Sequence, residues 1–403
     1  MKQLENPEIK LLLVAGARPN FMKIAPIVRA LRSQSNPQIS QISQIEYKIV
    51  HTGQQYDYEM SQAFFDDLEL PRPDFFLDAG SASHAVQTAK VMVAFESVCL
   101  NERPDIVIVV GDVNSTLACS IVAKKLLIEV AHVEAGLRSF DLTMPEEINR
   151  MVTDSISDYF FVTEKSAIEN LLKEGKPRQR IHFVGQVMVD NLHYQVRRLE
   201  RGDPLRFSTY GLKKELGKYI FLTLHRPSNV DDRETFIGIA EALNEISIEI
   251  PILFPVHPRT KKMIEEFDIE LAQSCKLKAP SKGVNYKINL DKRVFLLPPL
   301  GFRESLFLWK DAAMVMTDSG GLQEETTALG VPCLTLRENT ERPITVEMGS
   351  NTLAGNRQED ILNCFREIIK NGKPEAAVPP KWDGKAAERI VDVLRAKSRE
   401  HSA

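Results

Sequence analysis

Short apolar runs and helix-compatible segments alternate along nearly the whole of this 403-residue chain, and this alternation constrains the fold more than any other feature. The first series of runs is Leu11–Ala15, Tyr47–His51, Asp105–Val110, Val130–Val133, Tyr159–Val162 and Ile181–Val184. A second series follows at Tyr219–Leu224, Ile252–Val256, Val294–Leu297, Ala313–Thr317 and Pro332–Leu336. Strands buried on both faces of a parallel sheet read as continuous apolar runs, and helices such as Ser83–Leu100 and Asn114–Leu127 supply the crossovers between them. The pattern predicts an α/β protein with two doubly wound halves. Its length also exceeds what one core usually organises. The Arg-rich stretch His193–Gly211, broken by Gly202-Asp203-Pro204, is the expected inter-domain connection. This sets an N-terminal domain at 1–192 and a C-terminal domain at 193–380. Pro374, Pro379, Pro380 and Asp383-Gly384 precede an amphipathic helix from about Lys385 to Lys397, so 381–403 is expected to form a terminal helix.

A net charge of −4 offers no general attraction to nucleic acid or anionic membrane, so any anion binding must be local. No stretch approaches the ~20 apolar residues of a membrane span, and the N-terminus lacks a signal-type apolar region. The five cysteines are scattered, odd in number and without a C-x-x-C pair, as expected for reduced core thiols in a cytoplasmic protein.

Ligands of open α/β sheets collect at the carboxyl ends of strands, which makes those residues the chemical inventory. Thr317-Asp318-Ser319-Gly320-Gly321-Leu322-Gln323-Glu324-Glu325 follows an apolar run and leads into a helix-compatible stretch that stops at Gly330. A glycine turn at a helix N-terminus presents unpaired N–H groups and the positive dipole end to a phosphate, with the Ser319 hydroxyl as a further donor. Glu325, about one turn beyond Gly321, is placed to accept from a ribose. The expected ligand is nucleotide-linked. The first strand ends in Gly16-Ala17-Arg18-Pro19, with Lys23 a turn later. Cations at a helix start oppose the dipole, so Arg18 and Lys23 are read as anion ligands.

Three later strand ends carry carboxylates: Asp112, Glu134 and, after Pro145, Glu146. Asp112 also suits a cap for the helix at Asn114, and Glu146 a first-turn position. Glu134 ends a buried strand and needs a partner such as Arg138, or a shifted pKa. His225 stands at an open strand-to-helix turn, and Arg342 follows Glu341, whereas His257 before Pro258 reads as structural. Phosphate-loop, dinucleotide and nucleophile-elbow signatures do not occur. His132-x-Glu134 is similar to part of the zinc deaminase pattern, but the accompanying P-C-x-x-C does not occur, and no metal or cofactor is expected.

Taken in order, Gly16-Ala17-Arg18-Pro19 with Lys23, His51-Thr52-Gly53-Gln54, Gly111-Asp112, His132-Val133-Glu134-Ala135-Gly136-Leu137-Arg138, Pro145-Glu146-Glu147 with Asn149-Arg150, His225-Arg226, Asp318-Ser319-Gly320-Gly321 with Gln323-Glu324-Glu325, and Glu341-Arg342-Pro343 resemble the non-hydrolysing UDP-N-acetylglucosamine 2-epimerases. The resemblance spans nearly the whole chain. It implies two Rossmann-like domains in a glycosyltransferase-B-like arrangement, the final helix returning to the first domain, and a homodimer. It also implies interconversion of UDP-N-acetylglucosamine and UDP-N-acetylmannosamine through elimination of UDP to 2-acetamidoglucal and re-addition. By the same resemblance Lys23, Asp112, Glu134, Glu146 and His225 are catalytic. Arg18, Lys23, His225, Ser319, Gly320, Gly321, Glu325 and Arg342 hold the UDP-sugar.

Three departures from the family pattern stand out. Asn20-Phe21 replaces the Glu-Ala common after Arg-Pro. Gln54-Gln55-Tyr56-Asp57 keeps only part of the pattern some members use for a second substrate molecule. Ser305 occupies the place of an aromatic residue against uracil, with Phe302 and Phe307 as nearby substitutes. The competing readings are a retaining glycosyltransferase on the same fold, a non-catalytic sugar-nucleotide sensor, which needs the UDP ligands but not the carboxylates, and a 2-epimerase of another UDP-hexosamine, such as a diacetamido-uronic acid.

Overall fold

Strands β1 Ile9–Ala15, β2 Ile45–His51, β3 Phe75–Phe76, β4 Ile106–Val110, β5 Glu129–Val133, β6 Tyr159–Val162 and β7 Ile181–Phe183 form one sheet in the order β3-β2-β1-β4-β5-β6-β7. Strands β8 Ile220–Thr223, β9 Ile252–Pro255, β10 Ser274–Lys276, β11 Val294–Leu297, β12 Met314–Thr317, β13 Cys333–Thr335 and β14 Asn351–Leu353 form a second, in the order β10-β11-β9-β8-β12-β13-β14. Every pairing is parallel. The computed structural model describes residues 9–33, 45–53, 65, 68–271, 274–276, 293–371 and 377–400. Gln54 to Asp57 and the side chain of Cys275 lie outside them.

The first sheet reverses its strand order between β1 and β4 and the second between β8 and β12, with β11 inserted between β9 and β10 at the edge of the second. These are the two places where strand ends splay and a ligand crevice opens. The central strands are covered on both faces: all five residues of β4 and all four of β11 and β12 are buried. That double burial explains why they read as uninterrupted apolar runs. Three strands escape the sequence pattern. β3 has only two residues, and β10 and β14 are three-residue strands of mainly polar sequence, Ser-Cys-Lys and Asn-Thr-Leu, so no apolar run marks them.

Two compact units divide the chain, Met1–Leu192 with Pro380–Ala403, and His193–Pro379. The stretch expected as the inter-domain connection begins where the units divide and is mostly helical. Helix Val187–Arg201 runs through His193, and Leu192, Gln195 and Leu199 on it are buried. Burial of those positions outweighs the charged composition that suggested a linker. Within the first unit, the helix Ala386–Glu400 packs against helix Arg18–Ser33 and buries Ile390, Val391 and Leu394. Asp190 caps it, accepting from the N–H groups of Ala386 at 3.1 Å and Ala387 at 2.7 Å. Trp382, fully buried, donates its indole N–H to the Thr163 carbonyl at 3.4 Å.

Candidate active site

At the β1/β4 switch point the turn after β1 is tied by Asn20. Its Oδ1 accepts from the N–H of Ala17 at 2.9 Å and of Gly16 at 3.3 Å, and its Nδ2 donates to the Val110 carbonyl at 2.8 Å. The Asn20-Phe21 departure therefore has a structural role: Asn20 couples two strand ends, and Phe21 packs against His51 with ring centroids 4.8 Å apart. Gly16 is required by space, because a Cβ there would stand 2.2 Å from Ser115 Oγ.

Helix Arg18–Ser33 carries Arg18, exposed at its first position, and Lys23, buried one turn later. The Lys23 ammonium forms an ion pair with Glu134, which follows β5 with φ 70° and is 3% exposed. Gln186 Nε2 donates to the other Glu134 oxygen at 3.3 Å. Glu134 was expected to lean on Arg138, but that guanidinium instead meets Asp154 at 2.7 Å and Glu174 at 2.8 Å. The backbone of Glu134 turns to positive φ directly after the strand, and its side chain reaches Lys23.

Asp112 does not cap the helix Asn114–Lys125; Val113 occupies that position. Its carboxylate meets Arg150 at 2.6 Å, and its backbone carbonyl accepts from Asn149 Nδ2 at 2.8 Å. Both partners come from helix Pro145–Ile156, whose Pro145 sits at the helix start as its fixed φ favours. On this helix Glu147, Asn149 and Arg150 are buried while Glu146 is exposed in the first turn. Glu147 accepts from the N–H groups of Ser139 and Phe140, each at 3.0 Å, and pairs with Arg150 at 2.8 Å. Burial opposes its ionisation, but those donors outweigh it and hold the carboxyl below the usual range. The motif Pro145-Glu146-Glu147 thus contains a residue that sequence reasoning passed over. The doubled glutamate gave no means of telling which one turns inward.

The first unit therefore brings together Lys23, Glu134, Asp112 and Arg150 around Gly111. That glycine has φ 69°, and a Cβ on it would lie 2.7 Å from Lys23 Nζ and 3.5 Å from Glu134 Oε2. Only a residue without a side chain adopts this turn and leaves room for the ion pair.

The β8/β12 switch point is organised by Asp318, fully buried at the end of β12. Its Oδ2 accepts from the N–H groups of His225 and Arg226, both at 2.8 Å, and its Oδ1 lies 2.9 Å from His225 Nδ1. Burial opposes its charge, yet the His225 ring and the two N–H groups hold the carboxyl below the ordinary range. Directly after it, Ser319 is the N-cap of helix Gly320–Leu329 and makes no side-chain cap hydrogen bond. The first-turn N–H groups have no intrahelical acceptors, and around Gly321 an added Cβ would meet nothing within 4 Å. Glu325 is buried one turn into the helix, and the Arg342 guanidinium lies 2.8 Å from Glu324. His257, read from sequence as structural, caps helix Pro258–Glu266, its ring accepting from the Arg259 N–H at 3.2 Å and standing 5.5 Å from the His225 ring, centroid to centroid. Phe307 is not available to stack on a base, because it is buried against Phe207 with centroids 4.6 Å apart and nearly parallel planes. Phe302 and Ser305 are half-buried.

Two doubly wound parallel units with charged residues gathered at both switch points define a Rossmann-like α/β protein of the kind that handles nucleotide-linked ligands. The comparisons with known proteins narrow this. The family model described as UDP-N-acetylglucosamine 2-epimerase matches residues 37–395, and the chain belongs to that family. It is 42% identical over 391 residues to the UDP-N-acetylglucosamine 2-epimerase of Methanocaldococcus jannaschii, covering 96% of this chain and 99% of the relative. It is 38% identical to the UDP-2,3-diacetamido-2,3-dideoxy-D-glucuronate 2-epimerase of Pseudomonas aeruginosa, covering 96% and 99%. The crystal structure of the M. jannaschii UDP-GlcNAc 2-epimerase in complex with UDP-GlcNAc and UDP is similar with a TM-score of 0.78, at 41% identity, covering 96% of this chain and all of that one.

Proposed function

We propose that the chain is an isomerase that interconverts UDP-N-acetylglucosamine and UDP-N-acetylmannosamine. The observation that carries this reading is the pair of carboxylates at adjacent strand ends, Glu134 and Asp112, each met by its own cation, Lys23 and Arg150. The C2 hydrogen of the sugar is barely acidic, so its removal must coincide with loss of the anomeric diphosphate. In this reading one carboxylate takes the C2 proton, the C1–O bond breaks with its electron pair passing to the diphosphate, and a C1=C2 double bond forms. A carboxylic acid on the other face then returns a proton to C2, and the diphosphate oxygen re-adds at C1. Lys23, Asp112, Glu134, Glu146 and His225 are the catalytic candidates. Arg18, His225, Ser319, Gly320, Gly321, Glu325 and Arg342 are assigned to the UDP moiety, where each ~1.4 kcal/mol gained only in the transition state is worth about tenfold in rate.

Incubation with UDP-N-acetylglucosamine in D2O tests the reading. Deuterium at C2 together with the manno epimer, seen by proton NMR, is expected; neither appearing rejects it. The kinship with the Pseudomonas enzyme favours one second reading, a 2-epimerase of a diacetamido-uronic acid, which a panel of UDP-hexosamines separates by kcat/KM.

Two further parts belong to this reading. A homodimer is supported by Val86, Val93 and Leu100, exposed at two-turn intervals on helix His84–Glu102, and light scattering at micromolar concentration checks it. A cytoplasmic location is supported by unpaired thiols at Cys99, Cys119, Cys333 and Cys364 among the described residues. Among those residues no helix is long and apolar enough to cross a membrane.

A further inference from the structure

The proposed chemistry leaves one buried charged cluster beside Asp112 without a role. His132, the penultimate residue of β5 and fully buried, lies between two oxygens. Its Nε2 is 2.9 Å from the Gly111 carbonyl and its Nδ1 is 2.7 Å from Asp154 Oδ1. A carbonyl oxygen only accepts, so Nε2 carries a proton. The other Asp154 oxygen accepts from the Gly136 N–H at 3.0 Å and meets Arg138 at 2.7 Å, which marks Asp154 as the carboxylate anion. Nδ1 therefore carries a proton as well, because a bare ring nitrogen would set one lone pair against another at that distance. The ring is an imidazolium, and the row His132, Asp154, Arg138, Glu174 alternates in sign.

The consequence lies at Gly111. Its N–H donates to the Val133 carbonyl at 3.0 Å, and its positive φ is one a glycine leaves easily. A rotation of the Gly111-Asp112 peptide would swing the Asp112 carboxylate with it. The charge-assisted hydrogen bond from His132 holds the carbonyl of that peptide.

We propose that His132, held as an imidazolium by Asp154, is a positioning residue that locks the Gly111-Asp112 peptide and so aims the Asp112 carboxylate. The inference rests on the reading of Asp112 as a catalytic group.

The test uses the full chain labelled with ¹⁵N-histidine, the His132 ring signals being assigned in the parent protein itself from through-space contacts to the residues packed around the ring. Both ring nitrogens are expected in the protonated shift range at pH 7.5; a single neutral tautomer overturns the proposal, and this measurement stands even if the variant fails to fold. In folded His132→Asn, kcat is expected to fall about 100-fold, the scale of a displaced catalytic group, with KM and UDP affinity by calorimetry within about twofold. Residual turnover, followed as deuterium entering C2 over long incubations, completes a cycle with Asp112→Asn. Little additional loss in the double variant supports action through Asp112, and full additivity overturns it. Near-normal turnover in Asp112→Asn alone would instead sink the reading of Asp112 itself.

Discussion

Lys23 and Glu134, 111 residues apart in sequence, meet as a buried ion pair directly over the backbone of Gly111. The lysine arrives one turn into the helix after β1 and the glutamate from the turn after β5, so the pair joins strands on either side of β4. Removing either member has a different consequence. Glu134→Gln keeps the volume and is expected to lower kcat by 10²–10⁴, the usual weight of a general acid or base, while UDP binding by calorimetry persists. Lys23→Met leaves a carboxylate buried without its cation, and a loss of about 3–5 kcal/mol is expected in urea unfolding of the first unit. Equal stability of Lys23→Met and the parent would contradict the pairing.

Gly111→Ala combines an unfavourable φ with a methyl 2.7 Å from the Lys23 ammonium. Overpacking of this kind costs about 1–3 kcal/mol, and the displaced ion pair is expected to reduce kcat about 100-fold. Unfolding midpoint and turnover measured on the same preparation check both halves.

His51 sets an acid limit. Burial among Phe21, Phe65 and Phe76 pulls its ring down to about 4, and its Nδ1 accepts from the Gly53 N–H at 2.8 Å. The folded ring stays neutral where the unfolded one, near 6.5, binds a proton. Its stabilising contribution is therefore complete above about pH 6.5 and is lost as pH falls from there toward 4, amounting to about 3 kcal/mol. His51→Gln, whose amide oxygen can still accept from Gly53, is expected to lack that slope. Urea unfolding of both proteins from pH 4.5 to 7.5 measures the difference; parallel curves would refute it.

Asp318 ties the His225 turn to the first turn of helix Gly320–Leu329. Asp318→Asn removes the charge that two N–H groups and a ring share, and each such charge-assisted bond is worth about 1.5–3 kcal/mol. UDP affinity is expected to fall by roughly 10- to 100-fold, read by calorimetry. Unchanged affinity would separate His225 and Ser319 from the nucleotide.

Much of this architecture was legible because parallel strands buried on both faces leave continuous apolar runs; β6 and β11 coincide with their sequence runs residue for residue. The strands β3, β10 and β14 and the helical stretch after Val187 were not: β3 has two residues, β10 and β14 are mainly polar, and tertiary burial rather than local pattern sets the helix. In the candidate site, residue types at strand ends pointed to Lys23, Asp112, Glu134, His225 and Ser319. Their partners were hidden: Arg150 for Asp112, Lys23 rather than Arg138 for Glu134, and Asp318 for His225. Each of those pairs joins segments far apart in the chain, and no spacing rule encodes them.

The capped helix Ala386–Glu400 gives the first unit a split origin, because its covering segment is translated only after all of His193–Pro379. While the nascent chain is still on the ribosome, the helix Arg18–Ser33 waits with its outer side uncovered, whereas the later unit already has every strand it needs. The first unit is therefore complete only once the chain beyond Pro379 has been made.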